Sequence, residues 1–284
     1  MLLKKSNNST SSISFTAHYT GQVWANHGLS YPTWQTNLGK ALYGMLGPFE
    51  WCSRKVIGTD LRTFLLQRHL LIDHLLHQAI AKHPNLQVVE LACGLSPRGQ
   101  RFCSQYPNLR YIETDLPAMA KRKNTLLRQQ TLRSSRHYAT PVDVFAEGRH
   151  SIDAVFNEHL HNNAPVLVIT EGLVNYFPLA IITPVWQQLA HALQRYPAGY
   201  YLSDNYLLNE QRFVGTIGKL SQILGATARS KVSFHFTDQA NIAPYFQQLG
   251  FNDTHLYSPA DYYHSLSLPI SRGKPLVTII ANKA

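Results

Sequence analysis

Val88-Val89-Glu90-Leu91-Ala92-Cys93-Gly94-Leu95-Ser96-Pro97-Arg98-Gly99 is the stretch whose reading decides the fold. A β-branched run breaks into a loop of small residues and then into residues that open a helix. Such a strand–loop–helix unit brings backbone N–H groups close to a ligand. It is a poor dinucleotide fingerprint, because Ala92 holds the first glycine place of G-x-G-x-x-G and Ser96 the third. Glu90, inside the strand, would repel a pyrophosphate and suits a cationic amino-acid ligand instead.

Working outward, short β-branched runs at 86–91, 109–114, 136–139, 166–170 and 200–204 alternate with helical stretches at 98–106, 117–133, 149–161 and 178–196. That rhythm predicts an α/β fold with a mostly parallel, Rossmann-like sheet covered on both faces. Upstream, Thr59 or Asp60 caps a helix that runs to His83-Pro84 and forms an outer layer. Downstream, an insertion at about 208–236 precedes a helix near 238–249 that ends at Gly250. The last two runs, 253–258 and 275–281, are too close for a crossover helix and should pair antiparallel. Residues 1–14 read as a disordered tail, 15–58 as an aromatic-rich helical lid, and 59–284 as the main domain with its insertion over the acceptor pocket.

Carboxylates mark one edge of this sheet. Glu90, Asp115, Asp143, Glu171 and Asp204 follow one another at 25, 28, 28 and 33 residues, about one βα unit each. They fall at the carboxyl ends of consecutive strands, where open α/β sheets bind ligands. Asp115 sits where a carboxylate accepts both hydroxyls of a ribose, and Asp143 where an oxygen takes an adenine amino group. Each also has a plainer reading, Asp115 as a helix cap and Asp143 as part of a turn. An adenosine site without phosphates suggests S-adenosyl-L-methionine.

Four segments together resemble the leucine carboxyl methyltransferase family, and within it a bacterial branch similar to polyketide O-methyltransferases. They are Ala17-His-Tyr-Thr-Gly-Gln-Val-Trp24 with Asn26-His-Gly-Leu-Ser30, Val88 to Gly99, Tyr111-Ile-Glu-Thr-Asp-Leu-Pro117 followed by Lys123, and Thr170-Glu-Gly-Leu-Val-Asn-Tyr-Phe-Pro178. The resemblance implies a class I methyltransferase with a seven-stranded sheet, an antiparallel last strand and a helical lid. It implies a cofactor held along Glu90, Ala92 and Gly94, with Arg98 on the methionine carboxylate. Asp115 and Leu116 would hold the ribose, and Asp143 with the Val144 backbone the adenine. Glu171, Gly172 and Tyr176 would line the cofactor and acceptor pocket. The chain departs from the pattern at Ala92, usually Gly, and at Ser96-Pro97, where many members have Asp-Thr. The lid lysine that some members offer the cofactor has no counterpart, and Tyr19 or Thr20 stands nearest in place.

Composition narrows the class. The 284 residues carry 26 Lys+Arg against 16 Asp+Glu, a formal charge of +10, with 44% hydrophobic residues. A core can therefore form, and wholesale disorder is excluded. Three cysteines make no secreted scaffold and point to a reducing compartment. No apolar run approaches the ~20 residues that span a bilayer, and no secretory signal opens the chain. These features predict a soluble cytoplasmic protein without a membrane partner.

Basic excess also suits nucleic acid, a membrane surface or an anionic substrate. The acid-free stretch 116–142, with Lys121, Arg122 and Lys123, is the feature that favours RNA. Its bases spread around an amphipathic helix, and Asp204-Asn-Tyr-Leu lacks the prolines of a base-amino methylase. A non-catalytic cofactor-binding protein is the third class. His74 and His77, and Glu158-His-Leu-His161, lack a full ligand set, so no metal is expected. The expected reaction is methyl transfer to a carboxylate or hydroxyl of a small acidic or phenolic molecule. His18 and His27 are the candidate bases for a hydroxyl. The oligomeric state stays open.

Overall fold

Strand β1 (Gln87–Leu91) and strand β4 (Val166–Thr170) are buried along their whole length, as continuous apolar runs are in a sheet covered on both faces. The computed structural model describes residues 8–56, 58–130, 135–207, 232–272 and 277–284, with side chains from Thr16 onward. Parallel to β1 lie β2 (Arg110–Asp115) on one side and β4 on the other. Beyond them β3 (His137–Pro141) pairs with β2, and β5 (Gly199–Tyr206) with β4. The final strand β7 (Val277–Lys283) runs antiparallel between β5 and β6 (Asp253–Tyr257). The order is therefore β3-β2-β1-β4-β5-β7-β6, the seven-stranded mixed sheet expected. The chain changes its direction of spread between β1 and β4, which opens a crevice at their carboxyl ends.

One face of the sheet is covered by α6 (Ile152–His159), α7 (Leu179–Leu193) and α8 (Ile242–Gln248). Their Phe156, Trp186 and Phe246 pack on Val89, Val168 and Tyr201 in one core cluster. On the other face Leu71, Ile72 and Leu76 of α3 (Leu61–Lys82) pack on Val88, Leu167 and Ile279, with Phe102 of α4 (Arg98–Gln105) beside them. Helix α5 (Pro117–Arg128) lies against β2 and β3. Asp60 is the cap of α3: its carboxylate accepts from the Thr63 N–H at 2.7 Å. Such a cap contributes about 1 kcal/mol. Gly250 stops the chain after α8 at φ +102, as expected of a C-terminal glycine.

Two expectations change. Helix α1 (Asn8–Asn26) begins seven residues before Phe15, so residues 8–14 are helical and not a tail; residues 1–7 lie outside the described residues. Their Ser/Thr content lowers helix propensity only slightly, by a few tenths of a kcal/mol per residue, so they extend the helix that follows. Helix α3 is also no outer layer. It is sandwiched between sheet and lid, and Gln67, Arg68, His69 and Asp73 are buried with its apolar residues.

The lid is α1, a 3-10 turn at Pro32–Trp34, and α2 (Asn37–Val56). One buried carboxylate pins it: Glu50 of α2 accepts from the Tyr19 hydroxyl of α1 and pairs with Arg62 of α3. The Arg62 guanidinium lies 3.5 Å over the Tyr43 ring. Most of the insertion, 208–231, lies outside the described residues. Its end returns to the loop after β4, where the Ser233 N–H donates to the Asn175 carbonyl at 2.8 Å.

Candidate active site at the carboxyl edge of the sheet

The loop after β1 turns on two left-handed residues, Ala92 at φ +54 and Gly94 at φ +52. This turn aims the Gly94 N–H at Asp115 Oδ2, 2.7 Å away at the end of β2, while the Leu116 N–H donates to Oδ1 at 2.8 Å. The loop and the Asp115 carboxylate are thus one unit. Each Asp115 oxygen still has lone pairs for a ligand hydroxyl. Burial raises the Asp115 pKa against the pull of these N–H bonds and Lys123.

Below the loop lies Lys123, fully buried. Its ammonium pairs with Glu113 at 2.7 Å, donates to the Ser96 carbonyl, and sits 5.0 Å under the Trp34 ring of the lid. Gly99 permits this, since a Cβ there would collide with the Glu113 carboxylate and His137. One lysine therefore joins the loop, β2 and the lid.

Arg98 carries the next layer. Its Nε donates to Asp73 at 2.6 Å, Nη1 to Glu90 at 2.7 Å and Nη2 to Glu171 at 2.6 Å. Arg68 donates through Nε to Glu171 and through Nη1 to Asp204, both at 3.1 Å. His69 Nδ1 donates to Glu171 Oε2 at 2.9 Å, and Arg101 holds Asp73 at 2.7 Å. Tyr111 takes the second oxygen of Glu90 at 2.7 Å. Burial pushes the Glu171 and Asp73 pKa values up, but His69 and the arginines hold both below the usual carboxylate range. Asp204, which pairs with Arg68 and accepts from the Gly172 N–H at 2.7 Å, is left raised by its burial.

This network corrects two expected roles. Glu90 does face a cation, but that cation is Arg98 of the same chain. Arg98 in turn is 0% exposed with its three nitrogens spent on three carboxylates, so it scaffolds the edge and does not present itself to a cofactor carboxylate. The arginine nearer the loop after β4 is Arg68, whose guanidinium lies where a Cβ on Gly172 (φ +69) would be. Sequence reasoning passed over Arg68 and His69 and weighed Asp73 only beside His74 and His77 as a metal ligand. The available signal was three polar residues set among Phe64, Leu65, Leu71 and Ile72 on the apolar side of one helix.

The lid closes on this edge. A Cβ on Gly94 would meet the Ala17 Cβ at 3.2 Å, and one on Gly21 would meet Leu95 at 3.2 Å. Tyr176, in a 3-10 turn after β4, reaches across with its hydroxyl to Thr16 Oγ1 at 3.3 Å. Asp143 accepts from the Phe145 N–H at 3.1 Å in the loop after β3, and the adjoining Val144 packs on the core. His18 bonds Thr36 at 3.0 Å within the lid; burial, then Arg122, lowers its pKa. His27 is exposed at the end of α1 and donates to the Val23 carbonyl at 2.8 Å. His77, set aside as a metal ligand, bonds the Tyr106 hydroxyl at 2.8 Å.

Buried polar atoms without a partner among the described residues include the indole N–H groups of Trp24 and Trp34 and Asn175 Oδ1. Trp24 lies on His69 and Trp34 over Lys123, so orphaned groups border the edge just described. Buried groups left unpaired in a native fold call for an unseen partner. Asp115, with lone pairs to spare at the end of β2, has the chemistry to accept the hydroxyls of a nucleoside ligand.

Solved structures share the fold. A candidate methyltransferase from Thermobifida fusca superimposes with a TM-score of 0.63 at 13% identity over 94% of this chain and 93% of its own. A DUF574-family protein from Streptomyces avermitilis gives 0.61 at 11% identity, over 94% and 96%. A candidate O-methyltransferase from Nostoc punctiforme gives 0.51 at 16% identity over 78% of this chain, which spans 57% of that protein. No curated protein matches in sequence. Residues 50–190, from the end of the lid through α7, match the leucine carboxyl methyltransferase family, and the chain belongs to that family of S-adenosylmethionine-dependent methyltransferases.

Proposed function

We propose that the chain is an O-methyltransferase that methylates a carboxylate or hydroxyl of a small, polyketide-like acid or phenol. The observation that carries this reading is the loop–carboxylate unit of Gly94 and Asp115 lying directly beneath α1. A ligand between them is covered by the lid, which suits a small acceptor and the exclusion of water. The basic helix α5 supports the RNA alternative less than its sequence does, because Lys123 turns inward onto Glu113. Asp204 and Asn205 are likewise buried, with Asp204 tied to Arg68 and Gly172, which gives no support to an amino-methylase.

S-adenosylmethionine, when bound, supplies a methyl group on a positively charged sulfur that is open to in-line attack. Asp115 would hold its ribose, and Asp143 and the Val144 N–H its adenine. Arg68 and Glu171 set the polarity at its amino-acid end. Methyl transfer asks the protein mainly for alignment. A carboxylate acceptor is already ionised at pH 7 and needs no base. For a hydroxyl acceptor, His18 is the base in best condition, because burial and Arg122 keep its imidazole neutral. The three cysteines are free, which supports a place in the reducing cytoplasm.

Labelled methyl transfer into a metabolite extract, read by mass spectrometry, tests the reaction and identifies the acceptor. A rate that is flat with pH marks a carboxylate; one that rises through a pKa below 6.5 marks the His18 route. Asp115→Ala should weaken cofactor binding more than tenfold, beyond ~1.4 kcal/mol. Unchanged affinity in a folded variant, by calorimetry, rejects the ribose role.

A further inference from the structure

Burying an ammonium is costly, and apolar residues of similar volume often stabilise a core as well as a buried ion pair does. Lys123 nevertheless comes from α5 with its side chain 0% exposed. Its partners belong to three separate elements. They are the Glu113 carboxylate of β2 at 2.7 Å, the Ser96 carbonyl in the loop after β1, and the face of the Trp34 ring, 5.0 Å away in the lid. Burial disfavours its charge, but Glu113 holds its pKa above the ordinary value, so the group beneath the ring is a cation.

Trp34 meets that cation with its face. The indole is 3% exposed and its N–H makes no hydrogen bond among the described residues. On the far side of the lysine the contacts run on to the site. The Ser96 N–H donates to the Cys93 carbonyl at 2.9 Å, which closes the turn 93–96 around Gly94. The Gly94 N–H then holds Asp115 Oδ2 at 2.7 Å. Trp34 also shares an apolar cluster with Leu95. An apolar contact has no set direction, whereas the ammonium bond fixes where the Ser96 carbonyl points.

We propose that Lys123 is a positioning residue through which lid closure and ligand binding at Asp115 become one event. Trp34, seated on the ammonium, keeps water away and leaves the lysine on the Ser96 carbonyl, which holds the turn and so Gly94 against Asp115. When the lid lifts, water competes for the ammonium and the turn loosens. Closing the lid and binding at Asp115 therefore favour each other to the same degree. The ligand half of this inference rests on the proposed ribose role of Asp115; the coupling of lid to turn does not.

Two measurements separate these halves. In the ligand-free protein, Trp34→Leu should speed hydrogen exchange of the Gly94 and Ser96 amides roughly fivefold or more, while the amides of β4 keep the parent rates. Calorimetry with S-adenosylhomocysteine should show about tenfold weaker binding to Trp34→Leu, the size of one desolvated cation–ring contact. Trp34→Phe keeps a ring face and drops the N–H, so it should bind within about threefold of the parent. Once Lys123→Met has removed the cation, adding Trp34→Leu should weaken binding by less than about threefold. Where Lys123→Met alone fails to fold, Glu113→Gln accompanies it, which leaves no unpaired buried carboxylate beside His137. If Trp34→Leu has the same effect with and without Lys123, the Leu95 contact carries the coupling and the proposal is overturned. Trp34→Phe binding as weakly as Trp34→Leu, or unchanged Gly94 and Ser96 exchange in Trp34→Leu, also overturns it. Asp115→Ala binding as tightly as the parent would reject the ribose role alone, and the exchange rates would then decide the coupling.

Discussion

Ala92 stands at φ +54, where an L-residue with a Cβ costs about 1–2 kcal/mol. The cost is tolerated because the turn it makes delivers Gly94 to Asp115 and lets the Cys93 N–H reach the Thr114 carbonyl at 2.9 Å. A glycine would remove the strain but add chain entropy to the unfolded state, so Ala92→Gly should be nearly neutral. Ala92→Val, branched at Cβ, should lower stability by about 2 kcal/mol or more. Thermal unfolding of the two variants checks this, and an equal loss in both would show that the backbone conformation is not the controlling factor. Arg98 teaches a second lesson at this scale. Its place just past a small-residue loop reads as a ligand contact, yet the residues that claim it come from α3, β1 and the end of β4.

At the scale of elements, β1, β4 and β7 were legible because each is a β-branched run that needs only its own sequence to be recognised. Strands β3, β5 and β6 have almost no β-branched residues and were placed by the spacing of the units around them. Five carboxylates one βα unit apart do fall along the carboxyl edge of the sheet, as their spacing predicts. Their individual duties were not legible, because Glu90, Glu171 and Asp204 are answered by Arg98 and Arg68, and the Arg68 pairs lie 103 and 136 residues apart in sequence. The lid was legible as aromatic and helical, but its hold on the loop depends on side chains that are missing. Ala17 and Gly21, four apart on α1, let that helix rest on Gly94 and Leu95. Gly21→Val should therefore overpack the contact at a cost of about 1–3 kcal/mol. Hydrogen exchange should then speed up through residues 16–26 while the amides of β1 and β4 keep their protection. Uniform acceleration would mean that α1 and the sheet open as one unit.

For the whole molecule, the net charge of +10 understates how basic the outside is. Glu50, Asp60, Asp73, Glu90, Glu113, Glu171 and Asp204 have buried side chains, seven of the 16 acids, whereas the buried bases are Arg68, Arg98 and Lys123 among the described residues. Stability should depend on pH through these internal acids in two opposed ways. Asp73, Glu113 and Glu171 are held low by their cationic partners, so their contribution is present above the unfolded pKa of about 4 and lost as pH falls. Asp204 and Asp115 are raised by burial, so each favours the fold below its raised pKa and that share is lost as pH climbs through it. Glu171→Gln leaves Arg98 and Arg68 short of a partner and should cost about 3–5 kcal/mol at pH 7. Its deficit against the parent should shrink toward pH 3, where the unfolded parent takes up a proton that its folded form resists. Asp204→Asn should behave in the opposite sense, comparing better with the parent at pH 7 than at pH 3. Melting curves of both variants across that range decide the matter, and parallel curves would show that the two carboxylates share one environment after all.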